Sequence, residues 1–412
     1  MTFDVDRIAG QFSILNRRVG ECPLHYLDNA ATSQVPDCVI EAMTIHDRTR
    51  RANVRRGIHR LSEEADEAYE NARAKVARYL GVDCPDEVVF TSGATAGINL
   101  LAHGLGQKMK PGDEVLISQL EHHSNIIPWQ MLKQRTGITL RFIPVTPDGR
   151  LDLSELDSCI TKNTKLVAIT HGSNVTGAVT EAAIVAAMAH QKGAELMLDG
   201  AQAAPHGPLN LISLGADYYV FSGHKVYGPS GIGIVWGRKE LLEKMPPMFG
   251  GGEMIEDVNL ESSTYAPPPH RFEAGTPPIT QAVGLAAALV WLQSQDIKGL
   301  HLHLTHLTDQ LVQGLEQLDR GQGRIRVLGP ESGKQRLPLV SFSVRGMHPH
   351  DICQIMNDLH GVALRGGHHC AQPLHDLYGI DGSSRASLAA YNHQNDIDAF
   401  FEGMEHCIRM FM

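Results

Sequence analysis

Lys225 stands in the run SGHKVYGP at 222–229, directly after an apolar stretch and flanked by Ser222 and His224. A lysine confined in such a pocket gives up its proton more readily, which makes it a nucleophile and a later proton carrier. Four more clusters of reactive side chains follow apolar stretches in the same way. They are Thr91 to Gly97 with Ala94 and Thr95, Glu121-His122-His123-Ser124-Asn125, His171-Gly172-Ser173-Asn174, and Asp199-Gly200-Ala201-Gln202. Singly, each has an ordinary explanation: a tight turn, a core or surface histidine, a turn-forming asparagine, an aspartate capping a helix. Jointly they supply an acid, imidazoles, amides, hydroxyls and an amine.

Pyridoxal phosphate calls for that set: a lysine for a Schiff base, a carboxylate to keep the pyridine nitrogen protonated, a planar group over the ring and donors for the phosphate. Asp199, 26 residues before Lys225 and at the end of the preceding apolar run, is placed to meet the ring nitrogen. The small residues after Thr91 let backbone N–H groups approach an anion at a helix N-terminus. They match neither the GxGxxG nor the Walker A pattern, which weighs against nicotinamide and kinase-like chemistry.

The elements that must carry these clusters are legible as an alternation of short β-branched runs and helical patterns between about 60 and 240, so the fold class is α/β. Candidate strands are EVVFT at 87, EVLIS at 114, TLRFIPV at 139, KLVAIT at 165, ELMLD at 195, DYYVFS at 217 and GIGIVW at 231. Most are nearly continuous apolar runs, as expected of strands buried on both faces. In open sheets of this kind ligands bind beyond the carboxyl ends of the strands, where the five clusters lie. Ala65, Ala68, Ala72, Val76 and Leu80 recur at helical intervals, and Ser62 is the candidate cap of that helix. From 242 to 280, Gly250 to Gly252 and the run APPPHRFEAGTPP predict a long loop without regular elements. A helix over 280–295 then leads to a smaller α+β unit with strand candidates at 337–344 and 362–365.

Lys and Arg number 36 against 46 Asp and Glu, a formal net charge of -10, so no basic field favours nucleic acid or an anionic membrane. The N-terminus shows no basic-then-apolar leader and no apolar run reaches a membrane span, which makes the cytoplasm the expected compartment. Seven cysteines, an odd number without a CxxC pair, argue against a disulfide framework and a common zinc site.

In order along the chain, YLDNAATSQVP at 26, NVRRGIHRLS at 53, TSGATAGIN at 91, EHHSNIIPW at 121, DGAQ at 199, SGHKVYGPSGIG at 222, GGGEMI at 250, EAGTPP at 273, RGGHHCAQP at 365 and RASLAAYN at 385 resemble the fold-type I pyridoxal-phosphate enzymes. The resemblance is to the class V aminotransferase group that contains cysteine desulfurases and selenocysteine lyases. It implies a large domain over 28–298 with a mostly parallel seven-stranded sheet, a small α+β domain over 299–412, and a segment 1–27 packing with the small domain. It also implies that Lys225 holds the cofactor, Asp199 pairs with the pyridinium nitrogen, His123 stacks on the ring and serves as acid and base, and Gln202 contacts the phenolic oxygen. Ala94, Thr95, Ser222 and His224 would bind the phosphate, joined by Thr276 from the second subunit of a homodimer. Asn174, Arg365, Arg385 and His59 would hold the substrate amino acid.

The segment from Arg365 to Pro373 narrows the reading. Three adjacent residues, His368-His369-Cys370, do not readily converge on one metal ion, and no second cluster accompanies them, so no metal is expected. A cysteine beside histidines and near an arginine can instead hold a thiolate. Here the chain is similar to the group II, Suf/Csd-type desulfurases, with Cys370 at the sulfur-accepting position. That similarity implies conversion of L-cysteine to L-alanine, a persulfide on Cys370, and delivery to a Suf- or Csd-type acceptor for iron–sulfur cluster or other sulfur assembly. A selenocysteine lyase acting on L-selenocysteine, or a family member in which Cys370 is structural, would use the same constellation. Arg55, where relatives often carry histidine, and Gly366, where threonine is commoner, depart from the pattern, and both are expected near the site entrance.

Overall fold

The computed structural model describes residues 3–55, 57–331 and 336–411. Seven strands form its main sheet: β1 (Val88–Thr91), β2 (Glu114–Ser118), β3 (Thr139–Ile143), β4 (Thr164–Thr170), β5 (Glu195–Asp199), β6 (Tyr218–Ser222) and β7 (Gly233–Gly237). Their spatial order is β1-β7-β6-β5-β4-β2-β3. β7 is antiparallel to both its neighbours and every other pairing is parallel, so six strands point one way. The carboxyl ends of β1, β2, β4, β5 and β6 therefore open on one side, as the five reactive clusters require.

The continuous apolar runs have a physical reason. Successive side chains on a strand face opposite ways, and here they sort into two separate cores. Leu116, Val167, Ile169, Leu196, Leu198, Tyr219, Phe221, Ile234 and Trp236 belong to one, while Val115, Ile117, Leu166, Ala168, Met197, Tyr218, Val220 and Val235 belong to the other. Helices cover both faces. The helix Arg60–Leu80 buries Ala65, Tyr69, Ala72, Val76 and Leu80, and Gly81 ends it in a left-handed conformation at φ 69°. It starts two residues before the expected Ser62. His59 is its N-cap, with Nδ1 accepting from the Ser62 N–H at 3.2 Å, while the Ser62 hydroxyl turns back to the Asn53 carbonyl at 2.7 Å.

The stretch from 242 to 280 departs from the expected loop. It contains an exposed hairpin of Ile255–Val258 with Ser263–Tyr265, and a short turn of helix at His270–Phe272. The helices Ile279–Gln293 and Ile297–Asp319 lead to a second, four-stranded antiparallel sheet with the order Ile325–Leu328, Leu339–Val344, Ser383–Ser387, Arg365–Gly367. The strand expected at 362–365 divides in two. Val362–Ala363 pairs in parallel with His25–Tyr26, and Arg365–Gly367 joins the small sheet. Among the described residues no helix is long and apolar enough to cross a membrane.

Candidate active site

A cavity of about 430 Å³ lies where the strand ends of the main sheet face the small sheet. Its floor is Lys225, half-buried in the turn that follows β6, and buried Asp199 at the end of β5. Burial is the largest influence on Lys225 and pushes its ammonium down, Asp199 opposes this, and Arg385 adds to it, leaving a pKa of about 8. Asp199 is itself pushed up by burial, against an N–H bond from Ala201 at 3.0 Å and the charge of Lys225. A carboxylate and an amine thus line one cavity.

One wall is the start of the helix Ala94–Gly106, entered through Gly93 at φ 151°, a conformation only glycine adopts freely. The Ser222 hydroxyl accepts the Ala94 N–H at 2.9 Å and so locks β6 to that helix. N–H groups of a first helical turn have no intrahelical acceptor, which suits an anion between Thr95, Ser222 and His224. Gln202 is oriented by donating to the Ala30 carbonyl at 2.8 Å.

Of the adjacent His122 and His123, the one that lines the cavity is His122, not the expected His123. His122 is extended (φ -66°, ψ 150°) and caps the short turn His123–Asn125, its Nδ1 accepting from the Ser124 N–H at 3.1 Å and lying 2.8 Å from the Ser124 hydroxyl. A ring nitrogen that accepts carries no proton, so neutral His122 presents Nε2–H. Burial, then the charges of Lys225 and other cations, lower its pKa to about 3 and keep it neutral. The Ser124 hydroxyl continues to Thr95 at 2.8 Å. His123, first residue of the turn, is directed away to the Cys370 loop: its N–H donates to the Cys370 carbonyl at 2.7 Å and its Nε2 accepts from the Gln372 N–H at 3.2 Å. Two neighbours in one dipeptide thus face different segments, and nothing in the pair of letters says which is which.

The opposite wall comes from the small sheet. Arg385, fully buried, donates from Nη1 to the Asn174 carbonyl at 2.9 Å and from Nη2 to Asp28 at 3.4 Å, while its Nε has no partner among the described residues. Arg365 approaches the other Asp28 oxygen at 3.6 Å. Asp28, which sequence reasoning left out of the site, therefore aligns both guanidiniums. Its place two residues after Tyr26 held no separate signal of that duty. Two guanidiniums beside an amide suit the carboxylate of an amino acid.

Cys370 is exposed at the cavity edge, in a turn where His369 and Cys370 are successively left-handed at φ 51° and 55°. Non-glycine residues accept that region at a cost of roughly 1–2 kcal/mol each, and hydrogen bonds hold them in it. Asn174 donates to the His369 carbonyl at 2.7 Å, and His369 Nε2 and His375 Nε2 each lie 3.0 Å from the Ser383 hydroxyl.

Of the expected residues, Ala94, Thr95, Asn174, Asp199, Gln202, Ser222, His224, Lys225, Arg365, Cys370 and Arg385 surround the cavity. His123, His59 and Thr276 do not. His59 is exposed, spent on capping a helix, and Thr276 is exposed after Glu273, whose carboxylate is fixed in a buried ion cluster. Arg55 belongs to that cluster rather than to an entrance loop, reaching Glu273 at 2.7 Å. No group of three or more His, Cys, Asp and Glu side chains able to hold a metal occurs among the described residues.

The family model for class-V aminotransferases matches residues 25–400. The chain belongs to the class-V aminotransferase family. A probable cysteine desulfurase of Streptomyces coelicolor is 45% identical, covering 99% of this chain and 98% of that protein, and a cysteine desulfurase of Serratia proteamaculans is 41% identical over 98% of each. Among solved structures, the apo cysteine desulfurase of Thermococcus onnurineus superposes with a TM-score of 0.93 at 37% identity, over 100% of this chain and 99% of that one. The cysteine desulfurase CsdA of Escherichia coli, in an S-sulfonic acid form, gives 0.90 at 34% over 100% of both. The fold is thus the fold-type I pyridoxal-phosphate fold that the resemblance implied, and as a class-V aminotransferase the chain is a pyridoxal-phosphate enzyme. Its own residues fit that cofactor: a half-buried lysine with a depressed pKa, a buried carboxylate, a neutral imidazole and an anion-ready helix start around one cavity.

Proposed function

We propose that this chain is a cysteine desulfurase that takes sulfur from L-cysteine onto Cys370, releases L-alanine, and hands the sulfur to an acceptor protein. The observation that carries the reading is that Cys370, Lys225 and Arg385 border one cavity, close enough for the charges of Cys370 and Arg385 to act on Lys225. When bound, pyridoxal phosphate supplies an aldehyde carbon that captures amines and a ring that withdraws electron density from the substrate's Cα. Lys225 would hold the cofactor, Asp199 would face its ring nitrogen, His122 would take the ring-facing place expected of His123, and Thr95, Ser222 and His224 would hold its phosphate.

Arg385 and Arg365 grip the substrate carboxylate, and Asn174 sits beside them. Lys225 Nζ, neutral above its pKa of about 8 and readily made so near it, receives the Cα proton. Cys370 Sγ, as thiolate, attacks the substrate sulfur. The new S–S bond uses its lone pair, the substrate Cβ–S bond breaks with its electrons going to Cβ, and protons returned to Cβ and then to Cα complete alanine. The step needs no outside oxidant, and it leaves one sulfur on Cys370. Support for the acceptor, of the Suf or Csd type in the cytoplasm, and for a homodimer in which Thr276 serves the partner's cavity, comes from the family resemblance and from the exposure of Thr276.

The test is alanine and sulfide release from L-cysteine in the presence of a thiol reductant. Cys370→Ala is expected to keep the cofactor's colour and lose at least tenfold in rate, and Lys225→Ala to lose both. Unchanged release in Cys370→Ala would sink the reading and leave another class-V aminotransferase activity with a structural Cys370. Faster turnover of L-selenocysteine than of L-cysteine, with no dependence on Cys370, would assign the selenocysteine lyase reaction instead.

A further inference from the structure

The Cys370 turn raises the question of what keeps a doubly left-handed, exposed segment in register with the cavity. His369 and Cys370 both have positive φ, so the turn does not hold its shape by backbone preference. Two strand-end clusters grip it from the main-sheet side. Asn174 Nδ2 donates to the carbonyl of His369, and the His123 dipeptide closes on the following residues with its N–H on the Cys370 carbonyl and its Nε2 on the Gln372 N–H. The Gln372 N–H belongs to the first residue of the helix Gln372–Tyr378 and has no carbonyl of that helix to bind. His123 is thus the one side chain among the described residues that accepts it.

We propose that His123 is a positioning residue for the sulfur-accepting cysteine: its neutral imidazole pins the start of the helix Gln372–Tyr378, and thereby fixes where Cys370 Sγ stands relative to Lys225. The inference rests on the reading of Cys370 as sulfur acceptor and deepens it. His123 touches neither the cavity nor the reacting atoms. It acts through the loop, while His122, its neighbour, faces the cavity. The same short turn so couples the two halves of the site: a shift of His123–Asn125 displaces a cavity wall and the nucleophile together.

The test compares the holoenzyme with His123→Ala, which removes the acceptor, and His123→Gln, whose amide oxygen can replace Nε2. Two readouts are taken: hydrogen exchange at the Gln372 amide, and the single-turnover rate at which Cys370 gains sulfur from L-cysteine. A misplacement of about 1 Å can cost on the order of a hundredfold. His123→Ala is expected to lose protection at Gln372 and to slow sulfur gain at least tenfold, with the cofactor's absorbance and the KM for L-cysteine within about twofold of the parent. His123→Gln is expected to restore protection and bring the rate within about threefold. Parent-like protection and rate in His123→Ala would overturn the proposal, as would equal impairment of the two variants. If the parent itself gains no sulfur at Cys370, the reading of function fails, and Gln372 exchange alone then decides whether the clamp exists.

Discussion

Asp199 is buried and Lys225 half-buried, yet their mutual attraction only partly offsets the loss of water around the ammonium. The consequence is a lysine that titrates at about 8 rather than 10.5. Only the neutral amine attacks an aldehyde, so capture of pyridoxal phosphate by the cofactor-free protein is expected to accelerate as pH rises and to be half-maximal near pH 8. Asp199→Asn removes the larger of the two charges, Asp199 and Cys370, that raise this pKa, and should move the midpoint down. Stopped-flow absorbance across pH 6 to 10 checks both, and a midpoint above 10 would show an exposed, ordinary lysine. At this scale the sequence was informative about which reactive side chains meet, since Lys225, Asp199, Cys370 and Arg385 all line the cavity. It was silent where backbone geometry decided. His122 faces the cavity because it is extended and caps the turn, and His123 faces the loop because it begins that turn. Asp28 was unmarked for the same reason, its duty being to hold arginines more than 330 residues away in sequence.

Among elements, the segment before Thr276 is held by a fully buried carboxylate. Glu273 bonds Arg73 at 2.7 and 3.0 Å, Arg55 at 2.7 Å, the Tyr69 hydroxyl at 3.1 Å and the Phe90 N–H at 2.9 Å. Burial alone would raise its pKa, but Arg73 and then Arg55 hold it down to about 2. A depressed carboxylate contributes stability that is complete above its unfolded pKa, near 4.5, and is lost as pH falls toward 2. Glu273→Gln leaves buried Arg73 with only the more exposed Glu70 as counter-charge and should cost about 3 kcal/mol, read as a lower urea midpoint at pH 7. The deficit should shrink below pH 4, and a deficit under about 1 kcal/mol at pH 7 would contradict the account. The central strands were legible because period-2 alternation fills a core on each face, so both faces read apolar. The 255–265 hairpin was not, because its residues are largely exposed and glycine-rich sequence surrounds them. The division of 362–367 between two sheets was equally hidden, since it depends on where His25–Tyr26 lies.

For the whole molecule, the class-V aminotransferase fold brings the Cys370 turn, which follows a strand of the small sheet, to the cavity that Lys225 lines at a strand end of the large one. Exposed Ile40, Ile45, Ile58 and Leu260 lie on a chain whose net charge of -10 would otherwise keep copies apart. Light scattering is expected to find two chains per particle. In that dimer Thr276→Val should weaken cofactor retention, since Thr276 lies outside its own chain's cavity. A monomer with full cofactor content would exclude a cross-subunit role. The central claim, that sulfur passes from free cysteine to Cys370 in this cavity, is tested most directly by mass analysis of the peptide containing Cys370 after brief incubation of the holoenzyme with L-cysteine. The account predicts a gain of one sulfur atom on that peptide, reversed by a thiol reductant and absent in Lys225→Ala. Alanine formation with no sulfur on Cys370 would contradict it.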